Sequence, residues 1–558
     1  MTLHPAVADR LARLAPDQRA AATAPPGPVL CVAPAGSGKT TTLIARIAWL
    51  VASGADPSSI LAIAFNRRAA EEMVERLDGA LEPLGTGPGA VRVKTFHALG
   101  MEILRSAGRS VEPLLARDVV LRAVRPKATP AELRALDTAI SRLKLDLMVD
   151  VEAVAADDEA GPVALTFVAY ERALRAASGL DFDDLVGGAI RSLEADPARL
   201  ARWRSAAVQM LVDEAQDLDR SQLRLALLLA APRNQVFLVG DDDQSIYGWR
   251  LADVRRVLGL AAELPGLRRV DLEVNYRCPA PVLARAVRLI EVNRERFVKV
   301  IRPGPVAAGR LVLAPDAGEE TERVRHVLAS WPSDEGTRAI LARTNRELLP
   351  AAAVLLELGL PFRAVRLESP LESAFLDELL GAAAATPAGL PVLVRLGLVR
   401  DVAEAGAAAE VARADASAQP GAGDEPPPFT RTEVAAALVS WAAGFDELDA
   451  FAAAVHERRE RLAELRRDDA PLTLATAHST KGLEFDHVAV LTDGFPAKRS
   501  VAESAEPLRE LEEERRLAYV AWTRARRSLT LVYDPAAPPP FLREAFSDEE
   551  LAPSGTAG

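Results

Sequence analysis

The apolar run Val29-Leu-Cys-Val-Ala33 breaks into Pro34-Ala-Gly-Ser-Gly38 and resumes as a helical pattern through Leu43, Ile47, Leu50 and Val51. A strand, a Gly-rich turn and a helix in that order belong to an α/β fold built on parallel strands. The helix opens with Lys39-Thr40-Thr41. In such a turn the backbone N–H groups of Ala35, Gly36, Ser37 and Gly38, together with the helix N-terminus, can cradle an anionic phosphate. Lys39 is then expected on the β- and γ-phosphates of ATP, and the Thr40 hydroxyl on Mg²⁺. The strict form of this pattern begins with glycine, whereas Ala33 stands here. A mere Gly/Ser turn at a helix start leaves Gly-Lys-Thr after an apolar strand unexplained.

Length and composition narrow the rest. A chain of 558 residues exceeds what one core can hold, and 49% apolar with 26% charged residues is the balance of a folded protein. The net charge of −12 excludes a uniformly basic surface, so any nucleic-acid contact must be a local groove. The least charged stretch, Leu379–Val394, is interrupted by Pro387 and Pro391, so no membrane span is expected. Cys31 and Cys278 lie far apart, with no disulfide framework or zinc spacing. No secretory signal is visible at the start, so the expected location is cytoplasmic and nucleoid-associated. The basic residues are nearly all arginine, so each lysine invites a specific explanation.

Strands are expected at Val29–Ala33, Ile60–Phe65, Val91–Val93, Met210–Asp213 and Val236–Gly240, each followed by polar residues. Ligands of open parallel sheets bind at that carboxyl edge. The second half repeats the scheme without a phosphate loop, at Val270–Val274, Ala339–Ala342, Leu472–Ala475, His487–Leu491 and Ser528–Tyr533. The expected organisation has a first lobe over 1–100 and 181–265, with a helical insertion at 101–180. A second lobe covers 266–365 and 470–535, with a reduced helical insertion at 366–469. That insertion contains a Pro/Gly-rich linker at 412–430, and 536–558 reads as a disordered tail.

Two further stretches carry chemistry. Leu211-Val-Asp-Glu-Ala-Gln-Asp217 ends an apolar strand in acids. Asp213 suits a metal held through water, and Glu214 a general base that polarises the attacking water. Val239-Gly-Asp-Asp-Asp-Gln-Ser-Ile-Tyr-Gly-Trp-Arg250 joins Gln244, a candidate γ-phosphate sensor, to Tyr247, Trp249 and Arg250. Stacking on such rings is worth ~1–3 kcal/mol per base. A duplex step is worth about 1.4 kcal/mol, so moving one stacked base is a reasonable unit of work. The plainer reading makes Tyr247 and Trp249 core aromatics, against their polar surroundings.

With these motifs in order, the chain resembles superfamily 1A helicases of the UvrD/Rep/PcrA type. Leu14-Ala-Pro-Asp-Gln-Arg-Ala20 is similar to the family's adenine-reading element, which implies that Gln18 contacts the base. Ala64–Met73 resembles the motif in which an aromatic, here Phe65, stacks a base, and Lys94–Ala98 the motif whose Thr95 and His97 touch the DNA backbone. Asp181-Phe-Asp-Asp-Leu185 matches an element just ahead of the acidic strand. Asn275-Tyr-Arg277 implies a stacking Tyr276 and an arginine finger at Arg277. Ile340–Asn345 resembles the next element. Thr476–Phe485 implies DNA contact by His478 and ribose contact by Glu484, and Glu512–Ala525 a second finger at Arg524. Arg515 and Arg516 alone would also fit a salt-bridged surface helix. Departures are Thr41, where relatives carry arginine, Asn66-Arg67-Arg68 for Thr-Asn-Lys, Cys278 for serine, and the short 366–469 interval in place of a large duplex-contacting subdomain.

The resemblance implies an α/β fold of two RecA-like P-loop NTPase lobes with helical insertions. It implies ATP hydrolysis with Mg²⁺, coupled to 3′-to-5′ movement on single-stranded DNA and to duplex unwinding, in repair or replication. Expected partners are single-stranded DNA, single-strand/duplex junctions and optionally a protein loading partner, with no membrane. The competing readings are a translocase that displaces proteins without efficient unwinding, a nucleotide-switched scaffold, a helicase–nuclease subunit and an RNA motor.

Overall fold

The computed structural model describes residues 3–145, 151–155, 161–248, 251–305, 308–364, 367–414, 429–497, 501–502 and 506–552. In the first lobe, strands β1 (Val29–Val32), β2 (Ile60–Ile63), β3 (Arg92–Lys94), β4 (Gln209–Val212), β5 (Val236–Gly240) and β6 (Arg268–Asp271) form one sheet. Its order is β3-β2-β4-β5-β1-β6, and every pairing is parallel. Helices cover both faces, which is why β1, β2 and β5 read as continuous apolar runs and are buried throughout. Leu30 and Val32 enter one core, and Val29 and Cys31 the opposite one.

Because all strands run the same way, their carboxyl ends share one edge. Along it the order is His97 after β3, Phe65 after β2, the acids after β4, Gln244 after β5 and the phosphate loop after β1. The nucleic-acid candidates His97 and Phe65 thus lie at one end of the edge and the phosphate loop towards the other. The acids and the sensor lie between them.

The second lobe is another parallel sheet. After the small pair β7 (Val274–Asn275) and β8 (Arg302–Pro303) come β9 (Arg310–Pro315), β10 (Arg338–Ala342), β11 (Leu472–Thr476), β12 (Phe485–Leu491) and β13 (Ala525–Tyr533). The order is β11-β10-β12-β13-β9. One face of this sheet packs in a core with helices Phe375–Ala384, Val392–Ala414, Arg431–Trp441 and Leu448–Leu465 of the reduced insertion. That insertion therefore shares its hydrophobic core with the lobe. The opposite core takes in Ala35 from the phosphate loop and Ile246 from the sensor loop, which joins the two lobes at their edges.

Several expectations are corrected. The expected strand Val270–Val274 splits: β6 pairs with β1 in the first sheet, so that sheet extends past the expected boundary at 266. The helix Phe96–Ser106 crosses the expected boundary at 100–101 because Leu99 and Ile103 belong to the first-lobe core. The helical insertion has its own small core around Leu121, Ile140, Phe167 and Tyr170. The edge strand β9 had no counterpart among the expected strands. The tail is ordered through 552: helices Pro540–Ala545 and Asp548–Leu551 bury Phe541, Leu542, Phe546 and Leu551 in the second-lobe core. Four apolar anchors outweigh the Pro/Ala-rich composition there. Arg515 and Arg516 are buried, pairing with Glu544 and with the Glu295 carbonyl, because their helix is wrapped on all sides. Of the expected linker 412–430, residues 415–428 lie outside the described residues, as do 553–558 of the tail.

Candidate nucleotide site and nucleic-acid edge

The phosphate loop is held from two directions. Gln18 Nε2 donates to the Ser37 carbonyl at 2.8 Å, and its Oε1 accepts from Ala15 N at 3.1 Å. From the other side Asn275 Nδ2 donates to the Ala35 carbonyl at 2.6 Å and Tyr276 N to the Gly36 carbonyl at 2.8 Å. Gly36 has φ +67°, and a Cβ there would stand 2.7 Å from Arg277 Cβ, so both conformation and space demand glycine. Ser37 Oγ is buried without a hydrogen-bond partner. Lys39 Nζ folds back onto the Ala33 carbonyl at 3.2 Å. Thr40 lies in the first turn of helix Lys39–Ala52, and Thr41 beside it is exposed. Tyr276 stands 48% exposed next to Asp17, as a stacking platform requires.

At the end of β4, Glu214 adopts φ 51° and ψ 46°, a left-handed conformation costing a non-glycine residue about 1–3 kcal/mol. Gln216 Nε2 donates to its Oε2 at 2.5 Å. Burial works to raise the Glu214 pKa, but Lys39, Lys481 and that hydrogen bond hold it below the usual value. Burial and the neighbouring Glu214 push Asp213 the other way, to about 7, against Lys39. Among the hydrogen bonds of the described residues, the Asp213 carboxylate accepts only from Glu214 N, at 2.9 Å. Among the described residues neither Asp213 nor Glu214 has an ion-pair partner, a donor set whose chemistry fits a divalent cation.

The sensor loop is tied to both lobes. Gln244 Nε2 donates to Asp241 Oδ2 at 2.6 Å, and its Oε1 accepts from Arg524 Nη2 at 3.1 Å. Asp241 N donates to Gln216 Oε1 at 2.9 Å, closing a chain from Glu214 to Arg524. Arg524 is 1% exposed, and its other partners are the Val520 and Leu483 carbonyls and the Thr523 hydroxyl. Among the described residues no carboxylate forms an ion pair with it, and burial and then Arg277 lower its pKa to about 9. Arg277 is held by Glu484 Oε2 at 2.7 Å, and Arg526 also reaches Glu484, at 3.3 Å.

On the nucleic-acid side, Phe65 and Tyr247 stack with centroids 5.2 Å apart and an interplanar angle of 15°. His97 stacks on Phe182 at 3.9 Å, and Phe182 is 57% exposed. Thr95 caps the helix that follows it, through Ala98 N, and Asn66 caps its own through Ala69 N. A small cleft lined by Phe65, Phe96, His97, Leu218, Gln222 and Asp213 reaches from these rings to the acids. His478 is half-buried near Arg343 and Lys481; burial, then those cations, lower its pKa to about 4. Trp249 and Arg250 lie outside the described residues.

Sequence reading assigned no role to several residues that the structure brings in. Lys481 Nζ bonds Asp217 and donates to the Gln244 carbonyl at 2.7 Å, 5.1 Å from the Tyr247 centroid. Lys299 and Arg296 neutralise Asp241–Asp243, and Arg343 grips Glu514. The scarcity of lysine was the available signal: only seven of the 67 basic residues are lysine.

Fold and site together define a two-lobed P-loop protein, with a phosphate loop on one lobe and facing arginines on the other. The profile described as UvrD/REP helicase N-terminal domain matches residues 14–265, and the UvrD-like helicase C-terminal domain matches 446–535. DNA helicase II of Escherichia coli is 31% identical over 621 aligned positions, covering 92% of this chain and 84% of that protein. The ATP-dependent DNA helicase UvrD1 of Mycobacterium tuberculosis is 34% identical over 400, covering 65% and 51%. The ATP-dependent DNA helicase PcrA of Staphylococcus epidermidis is 32% identical over 360, covering 61% and 49%. The chain belongs to the UvrD/Rep helicase family. It spans about half the length of the UvrD1 and PcrA relatives it matches.

Proposed function

We propose that the protein is an ATP-dependent DNA helicase that couples ATP hydrolysis to 3′-to-5′ movement on single-stranded DNA and to duplex unwinding. The observation that carries this reading is Arg524: a fully buried guanidinium facing the sensor Gln244, with only neutral acceptors among its described partners. A buried charge is costly unless paired, and the γ-phosphate of ATP is the counter-ion this contact lacks. In this reading Gln18 and Tyr276 hold the adenine, Lys39 and the loop amides the phosphates, and Glu484 the ribose once it releases Arg277. Glu214 takes the proton of the attacking water. Thr40 and Asp213 would hold Mg²⁺, which would supply neutralisation of the phosphate charge.

Stacked rings at the other end of the same edge make DNA the natural track, with Phe65, Tyr247 and Trp249 on bases, and Thr95, His97, Arg250 and His478 on the backbone. The protein acts in the cytoplasm at the nucleoid, on single strands and junctions, with or without a loading partner. The test measures ATP turnover with no nucleic acid, single-stranded DNA and RNA, with Lys39→Ala as control, then unwinding of 3′- and 5′-tailed duplexes. Turnover indifferent to nucleic acid sinks the reading.

A second reading, translocation that strips proteins without efficient unwinding, is favoured by the insertion that shares the second-lobe core. Streptavidin displacement from a biotinylated strand, without separation of a tailed duplex, would select it.

A further inference from the structure

Three consecutive acids, Asp241, Asp242 and Asp243, follow β5, and all are buried. A 3₁₀ turn over Asp242–Gln244 makes their side chains converge instead of alternating. At the point of convergence lies Lys299 Nζ, 2.8 Å from Asp241, 2.5 Å from Asp242 and 2.9 Å from Asp243, with its side chain fully buried. An ammonium offers three tetrahedrally arranged donors and can meet three converging carboxylates. A guanidinium presents its donors in one plane and cannot. That geometry explains why a chain so poor in lysine carries one here.

The consequence lies one bond further on. Asp243 is also gripped by Arg296 at 2.9 and 2.8 Å, and Asp242 accepts from Phe297 N at 2.8 Å. Asp241 has Oδ1 on Lys299, which leaves Oδ2 for Gln244 Nε2. An amide whose nitrogen is committed to an acid must turn its oxygen outward, here to Arg524. A Gln244 amide turned by half a rotation would set N–H against guanidinium. The backbone N–H of the same Asp241 fixes Gln216, and through it Glu214. Asp241 is therefore the node at which sensor and general base are both set.

Lys299 belongs to a strap, 293–299, whose other end grips the helix Pro507–Trp522 just ahead of Arg524. Asn293 Nδ2 donates to the Glu512 carbonyl at 2.9 Å, Arg294 N and Glu295 N donate to the Glu512 carboxylate, and Arg516 donates to the Glu295 carbonyl.

We propose that Lys299 is a positioning residue for hydrolysis: by clamping Asp241–Asp243 from the strap, it holds Gln244 in register with Arg524. This rests on the ATPase reading above. The test is a double-mutant cycle on the full chain at saturating single-stranded DNA, with wild type, Lys299→Arg, Gln244→Ala and the double variant. Lys299→Arg keeps the charge, and its fold is checked by circular dichroism and melting. Its kcat is expected to fall about tenfold with the KM for ATP within about threefold, because alignment and not binding is lost. In the Gln244→Ala background the same change is expected to cost less than about twofold, since the residue it positions is gone. Equal losses in both backgrounds, or no loss in the first, overturn the proposal. Should Lys299→Arg fail to fold, Asp243→Asn, which weakens the Lys299 clamp at a carboxylate that does not bond the Gln244 side chain, carries the same cycle. Non-additivity with Gln244→Ala supports the proposal and additivity overturns it. A wild-type chain without DNA-stimulated turnover fells the functional reading together with the inference. An active wild type with an additive cycle fells the inference alone.

Discussion

Lys299 and Arg524 are buried cations on either side of the same sensor loop, and their surroundings are opposite. Lys299 touches three carboxylates, which lift its pKa well above the usual lysine value although burial works against it. Arg524 touches carbonyls, a hydroxyl and an amide, and its pKa is driven down. The charge of Lys299 is consumed inside the chain, as a brace. In the proposed reading the charge of Arg524 is kept for the γ-phosphate of ATP. Burial alone therefore does not separate a structural cation from a functional one; the count of acids in contact does.

The largest expected effect is on Arg524. Arg524→Ala should lower DNA-stimulated ATP turnover by about 10³-fold or more, the range of an arginine that reaches a γ-phosphate. Arg524→Met, which fills more of the same space, should leave the melting temperature of the nucleotide-free protein near wild type, since a buried charge with no carboxylate among its described partners is removed. A lower melting temperature with intact turnover would make Arg524 a structural residue and erase the contrast.

Lys299→Met is the converse. It strands three buried carboxylates with Arg296 alone, and losing one partner of a buried ion pair costs about 3–5 kcal/mol. Urea unfolding without nucleotide should register that loss. A loss below about 1 kcal/mol would mean that the acids are neutral in the fold and the brace dispensable.

Why one of these residues was legible in the sequence and the other was not follows from distance along the chain. Arg524 lies within a run of local motif residues, as do Lys39, Asp213, Gln244 and Arg277, and each follows or borders a strand or helix recognisable from its own pattern. Parallel pairing then carries such ends to one edge with no further information. Lys299 meets acids 56 to 58 positions away, and nothing around Phe297-Val-Lys299 marks it beyond the rarity of lysine. Strand β9 was missed although Leu311-Val-Leu-Ala314 is apolar; its outermost place in the sheet leaves it only partly buried, and no motif residue follows it. The tail was misread because composition averages over Phe541, Leu542 and Phe546, the residues that anchor it.

A third variant asks whether phosphate chemistry and track binding separate along the first-lobe edge, as strand order requires. Phe65→Ala removes the ring stacked on Tyr247, at the end away from the phosphate loop. Affinity for single-stranded DNA should fall by about 1–3 kcal/mol, as fluorescence anisotropy would read it, with turnover in the absence of DNA unchanged. Equal loss of both would mean that the two ends of the edge act as one site.

His478 completes the comparison as the cationic candidate able to shed its charge. It lies near Arg343 and Lys481, and burial lowers its pKa first, then those two cations, to about 4. An unfolded histidine titrates near 6.5, so between about pH 6.5 and pH 4 the unfolded chain holds a proton that the folded chain refuses. The stabilisation from neutral His478 is thus full above about pH 6.5 and is lost as pH falls through 4. His478→Gln, which cannot titrate, should flatten part of this decline: its melting temperature relative to wild type should rise from pH 7 to pH 5. A constant offset across that range would mean that His478 protonates as freely in the fold as outside it. In the proposed reading it would then meet DNA as a cation and not as a neutral imidazole.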